Sequence, residues 1–316
     1  MTTSKTQYRA FLLLGLAMLF WAGNSIVGRA MADAIPPFTL AFLRWFGATL
    51  FVLPFAIRPL RDDWPKLVAS WQSVLVLGVL GVGAFNTFLY SGLHYTTATN
   101  ALLLQAAMPG LVMLLDRLVF GTRSGWLQLV GTMISMVGVI VIVFRGDPEA
   151  ALRLQLGKGD LLIMGGVLVW TLYTVLLRTR PSVDGVSFVA ATFFIGMVVT
   201  APLAGWEWIA GLRMQWSWQV GATLLFVALL PSVAAYFIYN AAAASVGAAR
   251  AGQAITLMPV FGAFLSAALL GEKLHDYHAF GIGSICVGIA LGMLALHRQA
   301  PAEMPGGARA GAQLED

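Results

Sequence analysis

The chain has 316 residues, of which 59% are hydrophobic and only 10% charged, against roughly 25% charged in an ordinary soluble domain. A soluble fold of this size must hydrate its loops and exterior, so the composition excludes one. The net charge of +5 comes from basic residues lying between apolar runs, which fits membrane topology better than nucleic-acid binding, and the single Cys286 excludes an internal disulfide.

Apolar runs of about 20 residues, each able to cross a hydrocarbon core roughly 30 Å thick, predict an all-α integral membrane protein. Ten spans are expected, at 10–30, 38–57, 72–94, 98–118, 126–144, 160–178, 186–204, 218–241, 247–269 and 277–296. Lys5 and Arg9 precede the first, and Ala30-Met31-Ala32 resembles a leader cleavage site. The run is too long for a leader's apolar core, however, and it carries Trp21 and Asn24, so a retained span is expected. The second span holds Arg44, the one charge well inside a run, placed to snorkel outward or to bond a carbonyl. Asn86 and Tyr90 lie four apart on the third span and share a face. The fourth carries Gln105 and Met108-Pro109, and the fifth is nearly all aliphatic and glycine. On the sixth, Trp170 and Tyr173 share a face as Trp21 and Asn24 do on the first. Tyr236, Tyr239 and Asn240 mark the eighth, and Gln253 and Met258-Pro259 the ninth. The tenth, like the fifth, is aliphatic and glycine-rich, and its Gly281, Gly288 and Gly292 suit either close packing of these two spans or pairing of two molecules. Beyond about Gln299 the tail has too little apolar content to form a core and is expected to be disordered.

The basic residues set the orientation. With the N-terminus inside, twelve of the nineteen Lys and Arg are cytoplasmic, six are external and Arg44 is intramembrane, so both termini are expected in the cytoplasm. Glu207 and Glu272 fall in expected loops, Asp116 stands beside Arg117 at a span end, and Asp160 begins the sixth span. No Asp or Glu lies at mid-span, so transport is expected not to require a buried carboxylate relay. His275-Asp276-Tyr277-His278 is the densest cluster of potential ligands but lacks metal-site spacing, and neither a metal nor a cofactor is expected.

The chain repeats itself. Thr99–Gly131 reads TNALLLQAAMPGLVMLLDRLVFGTRSGWLQLVG, and Ala249–Gly281 reads ARAGQAITLMPVFGAFLSAALLGEKLHDYHAFG. Met108-Pro109 matches Met258-Pro259, Gly121 matches Gly271 and Arg123 matches Lys273, while Trp21…Arg29 matches Trp170…Arg178 upstream. Each half holds five expected spans, an odd number, so the second must enter the membrane from the opposite side. This gives an inverted repeat with substrate sites near the midplane. The expected division is a cytoplasmic N-terminus at 1–9, repeats at 10–146 and 158–297, and a cytoplasmic tail at 298–316.

Ten spans, five-span repeats and the Pro…Gly-(Thr/Glu)-(Arg/Lys) block of each half resemble the drug/metabolite transporter superfamily. The resemblance is closest to its EamA-type members, and among those to the aromatic amino acid exporters. The first repeat departs from the usual pattern in having Thr122 where the second has Glu272. The resemblance implies a central cavity lined by the first, third, fourth, sixth, eighth and ninth spans, with the fifth and tenth behind, and an Arg at the position of Arg44 that serves structure.

A polar side chain at mid-span has no water to bond, so it must face other helices or a cavity. Trp21, Asn24, Asn86, Tyr90, Gln105, Trp170, Tyr173, Tyr236, Tyr239, Asn240 and Gln253 are therefore the expected substrate-facing set. Pro109 and Pro259 are expected hinges, since proline frees the carbonyl four residues earlier and bends its helix. The expected function is export of small metabolites by alternating access from a bacterial-type inner membrane, with amino acids, aromatic ones included, as first candidates. Export of cationic or lipophilic drugs is the alternative, because ring faces also bind cations. An integral membrane enzyme is disfavoured for want of clustered catalytic groups. A lipid-embedded monomer acting on a small-molecule substrate is expected.

Overall fold

The computed structural model describes residues 2–105, 107–122, 125–144, 146–147, 149, 157–270 and 275–299. Arg123, the Gly271-Glu272-Lys273 block and the tail beyond 299 lie outside the described residues. All regular structure among the described residues is helical. In chain order the helices are α1 (Thr2–Ala30), α2 (Pro37–Ala69), α3 (Trp71–Leu93), α4 (Ala98–Gln105), α5 (Met108–Phe120), α6 (Trp126–Val143), α7 (Lys158–Thr179), α8 (Gly185–Ile209), α9 (Trp218–Val246), α10 (Ala248–Ala254), α11 (Leu257–Leu270) and α12 (Asp276–Gln299).

Seven helical stretches are long and apolar enough to cross a membrane, among them Ala248–Leu265, which runs through α10 into α11; α6 is a shorter apolar helix. Their outward faces are apolar too: Leu12 is 78% exposed and Ile209 85%. Such a surface suits lipid, where every backbone group is already bonded within its helix.

Hydropathy marks where lipid ends, not where a helix ends, and α2 illustrates the difference. The expected span 38–57 is the apolar part of a helix that continues through Pro59 and Pro65 to Ala69. Near its end the buried Asp63 carboxylate accepts the Asp184 backbone N–H at 2.8 Å and pairs with Lys66 at 3.2 Å, which ties α2 to the start of α8. At the other end Glu207 sits in the last turn of α8, not in the expected loop. Its carboxylate accepts from the Phe38 and Thr39 backbone N–H groups and the Thr39 hydroxyl at 2.7–2.9 Å, capping the donors left open where α2 begins.

The regular helix is interrupted just before each Met-Pro pair, between α4 and α5 and between α10 and α11. Pro109 stands in the first turn of α5, where its missing N–H is not needed. Between α10 and α11 the chain makes a tight turn, with Ile255 N–H bonded to the Gly252 carbonyl and Thr256 N–H to the Gln253 carbonyl. Gly121 closes α5 with φ +67°, a left-handed conformation that glycine adopts freely.

Two further irregularities match each other. Gly78–Ala84 of α3 and Leu229–Ala234 of α9 are π-helical, a geometry that widens the helix and re-aims its carbonyls. Asp116 pairs with Arg178, joining α5 to α7.

Helices α6 and α12 pack at very short range. A methyl group added at Gly131 would strike the Gly288 carbonyl, and one at Gly138 the Gly281 carbonyl, while Ser135 Oγ bonds the Ile285 carbonyl at 3.5 Å. Positions 150 apart thus trade partners. The same exchange holds for larger elements: α1 packs on α9 and α11, and α7 packs on α3 and α5.

Candidate functional site

One turn of α1 brings Trp21, Asn24 and Ser25 to a single face at helical spacing, and the matching turn of α7 brings Trp170 and Tyr173. The two tryptophans meet edge to face with ring centroids 4.9 Å apart. Tyr236 and Tyr239 of α9 lie 5.9 and 5.1 Å from the Trp21 ring, and Phe85 of α3 lies 4.7 Å from Trp170. Trp45 of α2 and Phe193 of α8 close the cluster on the far side of Tyr236. The offset and edge-on geometries are those favoured by the ring quadrupoles, each worth about 1 kcal/mol beyond burial.

A small cavity adjoins the rings. It is lined by Trp21, Asn24, Ser25, Arg44, Phe85, Asn86, Leu89, Gln105, Met108, Trp170, Tyr236, Ile255 and Met258. Its free space for the centre of a water molecule is about 20 Å³, room for about one water. A cavity of that size has no room for an organic cargo in this conformation, because the rings beside it fill one another's space.

The polar side of the cavity is organised by Arg44. Its guanidinium turns inward and is 1% exposed. Nε donates to Ser232 Oγ at 2.6 Å, Nη1 to Asn24 Oδ1 at 3.0 Å and to the Tyr90 hydroxyl at 2.8 Å, and Nη2 to the Pro231 carbonyl at 3.0 Å. Tyr90 in turn donates to Asn24 Oδ1 at 2.7 Å. The π-helical segments supply the carbonyls. That of Pro231 also accepts Trp21 Nε1 at 2.9 Å, and that of Gly81 accepts the Tyr236 hydroxyl. Of the two expectations for Arg44, snorkelling to the outer surface is ruled out and carbonyl bonding is met.

The predicted residues divide into four groups. Trp21, Asn24, Asn86, Gln105, Trp170 and Tyr236 line the cavity, with Tyr90 directly behind Asn24. Tyr173, Tyr239 and Asn240 lie a layer away, where the Tyr173 hydroxyl donates to Asn240 Oδ1 at 2.6 Å and Tyr239 shares a 3.0 Å bond with Thr174. Gln253 is buried but faces α12, donating to the Gly288 carbonyl at 2.8 Å. Pro109 and Pro259 are buried beside the helix breaks, and Met108 and Met258 before them reach the cavity.

Beyond the Tyr173–Asn240 layer a second cavity of about 430 Å³ opens between the ends of α7 and α9, lined by Arg178, Arg180, Ser182, Ala243 and Gly247 among others. Thr174 borders it and also bonds Tyr239, whose ring packs on Trp21 and Trp170 beside the small cavity.

Sequence reasoning did not assign Arg44, Ser232 or the Pro231 carbonyl to the site. Arg44 was signalled by being the one charge inside a span. The irregular backbone was hinted at by three glycines in the seven residues Gly78–Ala84 and by Pro231.

The EamA-like transporter family model matches residues 9–144 and again residues 157–294. An uncharacterized transporter of Archaeoglobus fulgidus is 29% identical over 279 residues, covering 86% of this chain and 93% of its own. The uncharacterized transporter YetK of Bacillus subtilis is 24% identical with 90% of this chain and 87% of its own covered, and a WAT1-related protein of Arabidopsis thaliana is 23% identical with 76% and 74% covered. A solved crystal structure superimposes with a TM-score of 0.70 over 93% of this chain and 99% of its own at 18% identity, which is a likeness of fold.

Proposed function

The chain belongs to the EamA-like transporter family, and we propose that it exports amino acids with aromatic or large apolar side chains by alternating access across a bacterial-type inner membrane. The observation that carries this reading is the ring cluster of Trp21, Trp170, Tyr236 and Tyr239 beside a polar cavity. Rings bury a large side chain by stacking, and the adjoining polar groups suit a zwitterionic head.

The transport cycle we propose uses two inverted five-span repeats. Counting α4 with α5 and α10 with α11 as single interrupted spans gives ten. The traded contacts of Gly131, Gly138, Gly281 and Gly288 support a twofold relation between the halves, as a self-complementary contact does in a symmetric dimer. Matching helix breaks and matching π-helical segments support it too. With both termini cytoplasmic, the 430 Å³ cavity is the cytoplasmic vestibule. The ring layer is then the closed inner gate, and cargo enters when α7 and α9 part.

Counterflow of labelled phenylalanine into vesicles reconstituted with the protein, competed by each of the twenty amino acids, tests the reading. Saturable counterflow with preference for large apolar side chains is expected. Absence of counterflow, or equal competition by all twenty, overturns it. The ring faces also favour a second reading, export of lipophilic cations, and a panel of such cations in the same assay separates the two.

A further inference from the structure

Arg44 is a buried cation without a carboxylate. It bonds two hydroxyls, an amide oxygen and a backbone carbonyl and lies 4.8 Å from the centre of the Trp45 ring, all neutral partners, and no described Asp or Glu pairs with it. Neutral oxygens satisfy hydrogen bonds but leave the charge uncompensated, which is costly at low dielectric. Four of its bonds use four of the five N–H groups that a guanidinium carries. The cavity wall also includes Met108 in the first turn of α5 and Met258 in the first turn of α11, and the N-terminal ends of these helices add partial positive charge.

The same cavity holds one unmatched acceptor. Asn86 is 1% exposed and lines the space, and its Oδ1 has no hydrogen-bond partner. A buried acceptor left open is worth a full desolvation penalty, and an arriving N–H donor removes it.

We infer that Arg44 binds the carboxylate of the cargo and Asn86 Oδ1 its ammonium group, so that the site selects α-amino acids over amines of the same side chain. This rests on the transport reading above and specifies its head-group recognition. Arg44 sits where α1, α3 and α9 converge, through Asn24, Tyr90 and Ser232. A carboxylate on the guanidinium competes with those bonds, so binding the head group loosens the contacts that hold the interior closed. At the offset of 149 that pairs Trp21 with Trp170, the counterpart of Arg44 is Phe193, so there is a single anchor and not a pair.

The test uses two matched probe series on the full-length protein in vesicles. Phenylalanine, 3-phenylpropionate and phenethylamine form one; leucine, 4-methylpentanoate and isoamylamine form the other. Each is measured as a competitor of counterflow and as a thermal stabiliser of the purified protein. In the wild type the carboxylate-bearing probes are expected to bind at least about tenfold more tightly than the amines. Arg44→Gln is expected to raise KM for the amino acids about tenfold or more while leaving the amines unchanged, with Arg44→Lys in between. Amines that bind as well as the amino acids in the wild type overturn the inference. So does an Arg44→Gln or Arg44→Lys protein that weakens every probe equally, the mark of a purely structural arginine. If Arg44→Gln fails to fold, Arg44→Lys and the wild-type comparison decide alone. Should only the leucine series follow the pattern, the anchor stands and the aromatic cargo falls. If no carboxylate in either series competes or stabilises at millimolar concentration, the anchor itself is refuted.

Discussion

Trp21 and Trp170, at equivalent positions of the two repeated segments, meet edge to face at 4.9 Å in the middle of the bundle. Trp170 also contacts Phe85, Tyr173, Tyr236 and Tyr239 within 5.7 Å, which makes it the hub of the ring cluster. Trp170→Ala is expected to cut phenylalanine flux at least about tenfold per folded molecule, since the stacking surface goes with the ring. Truncation of a buried tryptophan also costs about 3–5 kcal/mol of stability. Trp170→Phe keeps a ring and is expected to retain most flux, and flux normalised to folded protein separates the two effects. Undiminished normalised flux in the alanine variant removes Trp170 from the site.

Gln105 and Gln253 show how far sequence alone reaches. Both are amides a few residues before a Met-Pro pair, and both read as cavity-facing. The residue equivalent to Gln105 is Ile255, which does line the cavity. Gln253 lies two positions earlier, about 200° around a helix of 3.6 residues per turn, and so meets α12. Pattern supplied the face of α1 and α7, where two residues three apart fix a direction. It did not supply the face where the repeats slip by two. The π-helical segments were hidden for another reason: a widened turn has no hydrophobic period of its own. The breaks after Gln105 and Ala254 were half legible, because proline forbids a continuous helix without saying whether the chain bends or restarts.

Close packing of α6 on α12 predicts an asymmetry between two glycines on one helix. At Gly288 an added Cβ meets Ser135 and the Gly131 carbonyl, whereas at Gly283 nothing lies within 4 Å. Gly288→Val is expected to destabilise the purified protein by about 1–3 kcal/mol or to prevent its accumulation. Gly283→Val, on the open side of the helix, is expected to leave the melting temperature nearly unchanged. Equal melting temperatures for the two variants refute the packing.

The buried carboxylates Asp63, Asp116, Asp160 and Glu207 all act at helix ends, in caps or an ion pair. Asp160 accepts the Thr96 hydroxyl at 2.6 Å and the Gly157 N–H at 3.0 Å, and Glu207 caps α2. None faces the central cavity, so counterflow is expected to be the same with and without an imposed pH gradient. Glu207→Gln is expected to lower stability by about 1–3 kcal/mol through the lost charge-assisted cap while sparing flux per folded molecule. Flux that vanishes without the gradient overturns this assignment.

The vestibule gives a direct handle on orientation. Ser182 is exposed and lines the 430 Å³ cavity between Arg180 and Val183, and Cys286 is the chain's one native thiol. In a Cys286→Ser background, Ser182→Cys is expected to react with a membrane-impermeant maleimide in inside-out vesicles and to stay protected in intact cells. In the proposed orientation this side is cytoplasmic: Arg178 and Arg180 flank the opening, and Lys and Arg concentrate on the inner face of membrane proteins. Reaction in intact cells inverts the orientation and with it the direction of the gate. Reaction on neither side means the cavity is not open to water, and the ring layer is then not the gate.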